Sequence, residues 1–563
     1  MRPHVLLLLA DDWGSYDASH RIRSLGREPD VHTPTIDRLS AEGVTFENYY
    51  VQPICSPTRA SLLSGRYSIH TGSEHRLWGW SEASCLPVAL PLMPRAFKAL
   101  NYSTHMVGKW HLGYINDTCS PWTRGFDSYL GYLNGNEGYY QHGISTGRDF
   151  HQCADGTGQS SHTTSACDGC TVLYEGRYST HVYTEHVQGL LRAWTVGSVP
   201  LFVYAAYQAV HEPMAAPEEY VAKFAHIGDP SRRLYAAMLL ALDEGIGNIT
   251  ATLAAQHMSN DSVVVLSNDN GGMSGSYGLG CCNCGTSCGG LNYPYRGWKD
   301  SFYEGGFRGI GFAYAPSRLR ANATFEPLLW VGDWYRTLLG AALADDAPAA
   351  HAAATAALAP LLAAGPIDSV DQWGALVAAG APPPPPSSPP PSPPPRDELL
   401  LAGIDIDRNA AAIRIGRHKL LVGAWGSPLW CDLNASGFSP AYPVPPGNAS
   451  KGLAGGEGGL YCMDLSVADG NDDADGDDDA SMVEAAAADA PPPPWWAQVA
   501  GLYDVVSDPR ELNDLQHSLP DVVSRLRARL IEWNATTAPT AHAEEDPAGQ
   551  AHAKATGCYG PWR

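Results

Sequence analysis

The chain has 563 residues, 44% of them apolar, with 16 Trp and 27 Tyr: enough for a large core and, by length, for more than one domain. Acidic residues outnumber basic ones 59 to 36, and the net charge of −23 argues against a general nucleic-acid binder while leaving room for a local pocket that takes a small anion. No apolar run is long enough to span a membrane.

Residues Met1–Ala10 imitate a signal peptide, but the apolar part is short and runs into Asp11-Asp12 without a cleavage-like segment. Val5–Leu9 reads instead as a buried strand of the kind found in parallel sheets covered on both faces. Ligands gather at the carboxyl ends of such strands. Two adjacent carboxylates repel, so Asp11 and Asp12 call for a cation; a solvated loop is the alternative. Thr33-Pro34 begins a helix, and Val44–Tyr50 reads as a strand leading to Cys55-Ser56-Pro57-Thr58-Arg59 and on to Leu63-Ser64-Gly65-Arg66. Pro is favoured at the first helical position, which puts Cys55 at or just before a helix N-terminus, where free N–H groups favour an anion. A buried cysteine capping an ordinary helix is the plain alternative.

Ser103–Val107 is strand-like and ends in Gly108-Lys109-Trp110-His111-Leu112-Gly113. Residues 134–170 suggest a long loop tied by disulfides. Leu201–Tyr204 is a strand followed by His211-Glu212-Pro213, and Asp229-Pro230 caps a helix with apolar positions from Leu234 to Leu253. Val263–Leu266 is a second buried strand, ending in Asp269-Asn270-Gly271-Gly272. Cys281, Cys282, Cys284 and Cys288 follow in a Gly-rich loop. Their spacing fits no common zinc motif, and disulfides are the competing reading. Arg296, Lys299 and Glu304-Gly305-Gly306 come next.

Composition shifts after about residue 340. Ala342–Ala364 is Ala-rich, and Pro382–Pro395 is a Pro/Ser tract suited to an extended spacer. Leu399–Ile406 and Ala412–Val422 are strand-like, Asp464–Asp489 reads as an acidic disordered insertion, and Val522, Leu526, Leu530 and Trp533 mark one closing amphipathic helix. The expected organisation is a catalytic domain at 1–365, a linker or insertion at 366–397, and a smaller α+β domain at 398–563. The eight Asn-x-Ser/Thr sequons, at Asn101, Asn116, Asn248, Asn260, Asn322, Asn434, Asn448 and Asn534, together with 13 Cys, suit the secretory route, extracellular or lysosome-like.

Asp11, Asp12, Asp269 and Asn270 are hard oxygen ligands suited to Ca²⁺ or Mg²⁺. Arg59, Lys109, His111, His211 and Lys299 add cationic or protonatable groups. Such a set around one nucleophile fits attack on a sulfate or phosphate ester. The five motifs Leu9-Ala10-Asp11-Asp12, Cys55-Ser56-Pro57-Thr58-Arg59, Gly108–Gly113, Asp269–Gly272 and Glu304–Gly306 resemble those of the type I sulfatases, within the alkaline-phosphatase-like superfamily. Asn48–Pro53, Thr104–Gly113 and the tail from Lys554 to Trp562 are most similar to the arylsulfatase B branch.

The resemblance implies an α/β fold: a large mixed, mostly parallel sheet sandwiched by helices, with a smaller C-terminal domain on an antiparallel sheet. It implies that a formylglycine-generating enzyme oxidises Cys55 to formylglycine, whose hydrate is the nucleophile. Asp11, Asp12, Asp269, Asn270 and the modified residue 55 would hold Ca²⁺, Mg²⁺ being the lesser option. Arg59 and Lys109 would hold the formylglycine oxygens, His111 would take the proton that regenerates the aldehyde, and His211 with Lys299 would bind sulfate and protonate the leaving alcohol. A sulfated glycan or an aryl sulfate is the implied substrate, and a Cys85–Cys119 disulfide is implied too. The branch has another Cys near the position of Trp80. The competing readings are a phosphate or phosphonate ester hydrolase on the same fold, and an inactive extracellular glycoprotein.

Overall fold

The structure is a computed structural model, and it describes residues 2–74, 76–144, 147–153, 170–274, 289–381, 393–405, 408–423, 430–433, 460–463 and 495–563. The first apolar run forms β1 (His4–Ala10), buried along its whole length. It lies inside a nine-stranded sheet with β2 (Val44–Phe46), β3 (Ser103–Lys109), β4 (Ser128–Tyr132), β5 (His151–Cys153), β6 (Leu201–Ala206), β7 (Ser262–Asn268), β8 (Gly311–Tyr314) and β9 (Ala323–Phe325). The spatial order is β9-β2-β8-β7-β1-β6-β3-β4-β5. From β7 to β4 the strands are parallel, while β8 and β5 run against their neighbours. The sheet is therefore mixed and mostly parallel, as expected.

Alternation along β1 divides the core in two. Val5, Leu7 and Leu9 face α2 (Cys55–Ser64) and α5 (Trp334–Leu343). Leu6, Leu8 and Ala10 face α1 (Pro34–Ala41), α3 (Ser179–Ala193) and α4 (Pro230–Ala255). Each fully buried leucine contributes about 1.5–3 kcal/mol, so a parallel strand can dispense with polar residues until its end. Asp229 caps α4 as expected, its side chain accepting from the Arg232 N–H at 2.7 Å.

A second sheet of four antiparallel strands follows: β10 (Glu398–Asp405), β11 (Ala410–Ile415), β12 (His418–Val422) and β13 (Val499–Asp504). Leu526 and Leu530 of α7 (Pro520–Asn534) join its apolar face to the first core. Among the described residues, no helix is long and apolar enough to cross a membrane.

Several local expectations change. Val44–Tyr50 is two strands, because Tyr49–Tyr50 leaves the main sheet to pair with Leu329–Trp330. The Ala-rich stretch is mostly helical, ending in α6 (Pro348–Leu362), as alanine's high helix propensity allows. A second closing helix, α8 (Pro547–Thr556), buries only Gly549 and Ala553, so it offers no apolar stripe to read. The Cys85–Cys119 disulfide is present, and Cys170–Cys558 ties the C-terminal tail back to the first part of the chain. Trp80, in place of the branch's cysteine, has its ring 5.2 Å from that of Tyr559 in this tail. Residues Cys281–Cys288, the acidic segment 464–489 and most of the Pro/Ser tract lie outside the described residues.

Candidate active site

The parallel strands deliver their following residues to one edge of the sheet. Asp11 and Asp12 follow β1, Lys109 ends β3, His211 lies just after β6, and Asp269 and Asn270 follow β7. Backbone bonds extend the sheet past the strand ends, with the Asp11 N–H donating to Ala209 O at 3.0 Å and the Asp269 N–H to Ala10 O at 3.0 Å. Cys55 is the first residue of α2, after Ile54 as N-cap. Pro57 is thus third in the helix, not first; it is still tolerated because the first four N–H groups have no partner within the helix. Thr58 Oγ1 donates to the Asp269 carbonyl and Ser56 Oγ to the His111 carbonyl at 2.8 Å, which fixes the start of α2 against two strand ends.

The charges are buried and paired. Asp11 Oδ2 accepts from Lys109 Nζ at 2.6 Å and Arg59 Nη2 at 3.1 Å, and Arg59 also reaches Asp269 Oδ2 at 2.8 Å. Lys299 Nζ lies 3.0 Å from Asp12 Oδ2 and 2.9 Å from His211 Nε2. Burial opposes ionisation of Asp11, but Lys109, His211 and Arg59 outweigh it and hold its carboxyl below the usual range. Asp12 is held low in the same way, chiefly by Lys299 and His211. Burial, with Lys109, Arg59, His211 and Lys299, pushes His111 well below the ordinary histidine range. His211 is also lowered, by burial and Lys299, against the pull of Asp12 and Asp11.

Cys55 does not gain the thiolate character that its helix position suggests. Its Sγ lies 3.6 Å from Asp11 Oδ1, and burial, then Asp11, push the thiol up to about 12. A thiol reacts as its thiolate, so the unmodified side chain is a poor nucleophile.

The donor set fits a hard divalent cation. Ligand atoms of Asp11, Asp12, Cys55 and His211 lie within 4.8 Å of one another. Asn270 donates its amide hydrogens to Asp12 Oδ1 at 2.7 Å and to the Gly271 carbonyl at 2.9 Å, which leaves its Oδ1 buried without a hydrogen-bond partner. A buried carbonyl oxygen with no donor is costly, and a cation removes that cost. The three carboxylates balance Arg59, Lys109 and Lys299, so a divalent cation makes the site net positive and ready for an anion. Arg59 Nε and His111 Nδ1 are also buried in the cluster without a partner.

All the expected site residues converge. The sequence reading did not find the residues that hold them. Tyr139 OH donates to the His211 carbonyl at 2.9 Å, and Asn292 Oδ1 accepts from the Gly272 N–H at 2.8 Å. Asp149 accepts from the Leu133 and Asn134 N–H groups, both at 2.9 Å, while the Leu133 carbonyl accepts from the His111 N–H at 3.0 Å. These residues occur singly in irregular segments, where no period marks them. Gly135 packs closely on the imidazole, where a Cβ would sit 3.1 Å from His111 Nε2 and press on the ring. Gly271 is required where a Cβ would sit 1.8 Å from the Gly305 carbonyl oxygen, which joins two of the five motifs.

A family model described as Sulfatase matches residues 3–343. Arylsulfatase J of Mus musculus is 32% identical over 570 residues, covering 100% of this chain and 80% of the relative. N-acetylgalactosamine-6-sulfatase of Mus musculus is 28% identical over 352 residues, covering 60% of this chain and 62% of the relative. Among solved structures, Ps i-CgsB in complex with k-i-k-neocarrahexaose superposes with a TM-score of 0.66 at 21% identity, covering 99% of this chain and 97% of that one.

Proposed function

The chain belongs to the sulfatase family of sulfate ester hydrolases, and from that premise we propose that it cleaves the sulfate ester of a glycan or aryl alcohol with a nucleophile made from Cys55 beside a bound Ca²⁺. The observation that carries the reading is the gathering of Asp11, Asp12 and Asp269 with Arg59, Lys109, Lys299 and His211 around Cys55 at adjoining strand ends. Asp11, Asp12, Asp269, Asn270 and residue 55 would hold the cation. When bound, it would lower the cost of an ionised hydroxyl on residue 55 and polarise the sulfate. Conversion of Cys55 to formylglycine would supply that hydroxyl as an aldehyde hydrate, in place of a thiol that burial keeps protonated.

The chain's own residues do the rest. Arg59 and Lys109, locked on Asp11, hold the oxygens of residue 55 and carry positive charge into a water-poor site. Lys299 and His211, joined at 2.9 Å, bind the sulfate oxygens and deliver a proton to the leaving alcohol. His111 accepts a proton at its unpartnered Nδ1. The similarity to arylsulfatase J and to N-acetylgalactosamine-6-sulfatase supports aryl and glycan sulfates as the substrate class. The Cys85–Cys119 and Cys170–Cys558 disulfides and the sequons support maturation in the secretory route, where a formylglycine-generating enzyme would act. We keep 1–365 as the catalytic unit, 366–397 as a linker and 398–563 as the smaller domain; the nine-stranded sheet before the linker and the four-stranded sheet after it support that division. Parallel assays on 4-nitrophenyl sulfate and 4-nitrophenyl phosphate test the reading. Faster sulfate turnover is expected, and faster phosphate turnover would overturn it.

A further inference from the structure

A cleft of about 330 Å³ opens beside the catalytic edge of the sheet, lined in part by Arg21, Arg308, Tyr293 and Tyr295. β8 runs against β7, so the start of β8 lies at the carboxyl end of β7, and the end of β2 lies beside it. The residues just before β8 and at the end of β2 line this cleft, which therefore shares an edge with the catalytic cluster. Tyr293 and Tyr295 lie between Asn292, which holds the Gly272 N–H, and Lys299.

The two tyrosines are buried, and four guanidinium groups gather on them. Arg27 and Arg510 lie 4.2 and 5.6 Å from the centre of the Tyr293 ring, and Arg308 and Arg21 lie 4.8 and 5.9 Å from that of Tyr295. Arg21 also donates to Tyr295 OH at 2.8 Å, and Arg510 to Tyr293 OH at 3.1 Å. Glu47 and Glu304 engage Arg308, whereas no carboxylate among the described residues pairs with Arg21. In a chain of net charge −23, this concentration of arginine runs against the bulk composition. Arg21 is held in place by the Tyr295 hydroxyl, and its guanidinium, with no carboxylate partner among the described residues, has the flat fork of donors that meets an oxyanion.

We infer that this cleft is a second binding site for sulfated glycan, taking a sulfate group of the polymer at a distance from the ester being cleaved. Arg21 supplies the uncompensated charge, Arg27 and Arg510 lie behind the lining against Tyr293, and the tyrosines fix the arginines. The inference rests on the proposed sulfated-glycan substrate and adds a place where the rest of the polymer is held.

The test compares Arg21→Gln and Arg510→Gln, made separately, with wild type. The ratio of kcat/KM on chondroitin sulfate polymer to kcat/KM on 4-nitrophenyl sulfate should fall about tenfold for Arg21→Gln, the loss of one charge-assisted hydrogen bond. Arg510→Gln should lower it less. A ratio within twofold of wild type for both variants would overturn the site. Binding is measured in parallel on the Cys55→Ala protein, with and without Arg21→Gln, using chondroitin sulfate, the same polymer desulfated, and inorganic sulfate. Weakened binding confined to the sulfated polymer supports the inference. Equal weakening for inorganic sulfate makes the cleft a free-anion site and overturns the glycan assignment. Absent turnover of 4-nitrophenyl sulfate by the wild type would count against the proposed function alone, since the binding arms still report on the cleft.

Discussion

Two clusters of buried charge in this molecule have similar parts and different ends. At the junction of the two sheets, Lys419 of β12 lies between Glu304 Oε1 at 3.1 Å and Glu511 Oε1 at 2.7 Å, all three side chains fully buried. Glu304 Oε2 accepts from Tyr50 OH at 2.8 Å and Arg308 at 3.2 Å, and Glu511 Oε2 from the Glu304 N–H at 2.8 Å. Every carboxylate oxygen there is satisfied from within. The catalytic cluster also pairs its carboxylates, yet it leaves Asn270 Oδ1 and His111 Nδ1 buried and unmatched. Neither buried charge nor a single unmatched acceptor marks a site by itself, since Gln372 Oε1 and Glu137 Oε2 are also buried without a partner. What distinguishes the catalytic cluster is unmatched atoms gathered among three strand-end carboxylates, two lysines and an arginine. The comparison also gives Glu304-Gly305-Gly306, the last of the five motifs, a holding role: Glu304 joins the small sheet to the large one.

The sharpest way to separate the clusters is to remove one member of each. His111→Ala should lower kcat by about 10²–10⁴-fold with little change in thermal midpoint, as loss of a positioned proton acceptor does; steady-state kinetics and calorimetry on one preparation would show it. Lys419→Met should do the reverse. It leaves the buried Glu511 carboxylate without its cationic partner and Glu304 with Arg308 alone, and should cost about 3–5 kcal/mol in urea unfolding, with turnover per folded molecule preserved. A large kcat loss in a fully stable Lys419→Met protein would break the distinction.

A smaller effect concerns the cation. Adding Ca²⁺ to chelator-treated protein at about 100-fold over its dissociation constant should stabilise it by about 2.7 kcal/mol. Asn270→Ala should reduce that gain, and a Lys419→Met protein that still folds should keep it.

A third buried carboxyl, without a full counter-charge, tests the same logic by pH. Burial raises Glu137 to about 7 although His142 Nδ1 lies 3.7 Å away and Tyr183 OH donates to its Oε1 at 2.7 Å. The folded value exceeds the unfolded one near 4.5, so the folded state holds the extra proton between them. Stability from this group is therefore present at low pH and lost as pH rises from about 4.5 to about 7. Glu137→Gln should lack that loss, a difference on the order of 2 kcal/mol between the two ends of the window. The least effect is expected at the surface: Arg38→Ala breaks an exposed pair with Glu42 and should change stability by less than about 0.5 kcal/mol.

Much of the site was legible because each part sits where a simple pattern stops. The apolar run Val5–Ala10 stops at Asp11 and Asp12, and the run Val263–Leu266 gives way to Ser267 and Asn268 and then to Asp269 and Asn270, so that all four ligand candidates stand at the sheet edge. The capped helix α4 was legible from its spacing over 26 residues. Where the outcome depended on distant partners, the sequence was silent. Tyr49–Tyr50 leaves the main sheet for Leu329–Trp330, and Lys419 is an ordinary strand lysine until Glu304 and Glu511 are brought to it. The fate of the Cys55 thiol was also hidden: the helix start favours an anion, but burial and Asp11 decide against it.

That thiol is the point on which the account turns. The most direct measurement is mass spectrometry of the peptide containing residue 55 from active protein recovered from the secretory route, with activity measured on the same sample. An aldehyde at residue 55, with turnover rising in proportion to its fraction and absent from Cys55→Ala, is the predicted result. Unmodified Cys55 in a fully active preparation would contradict it.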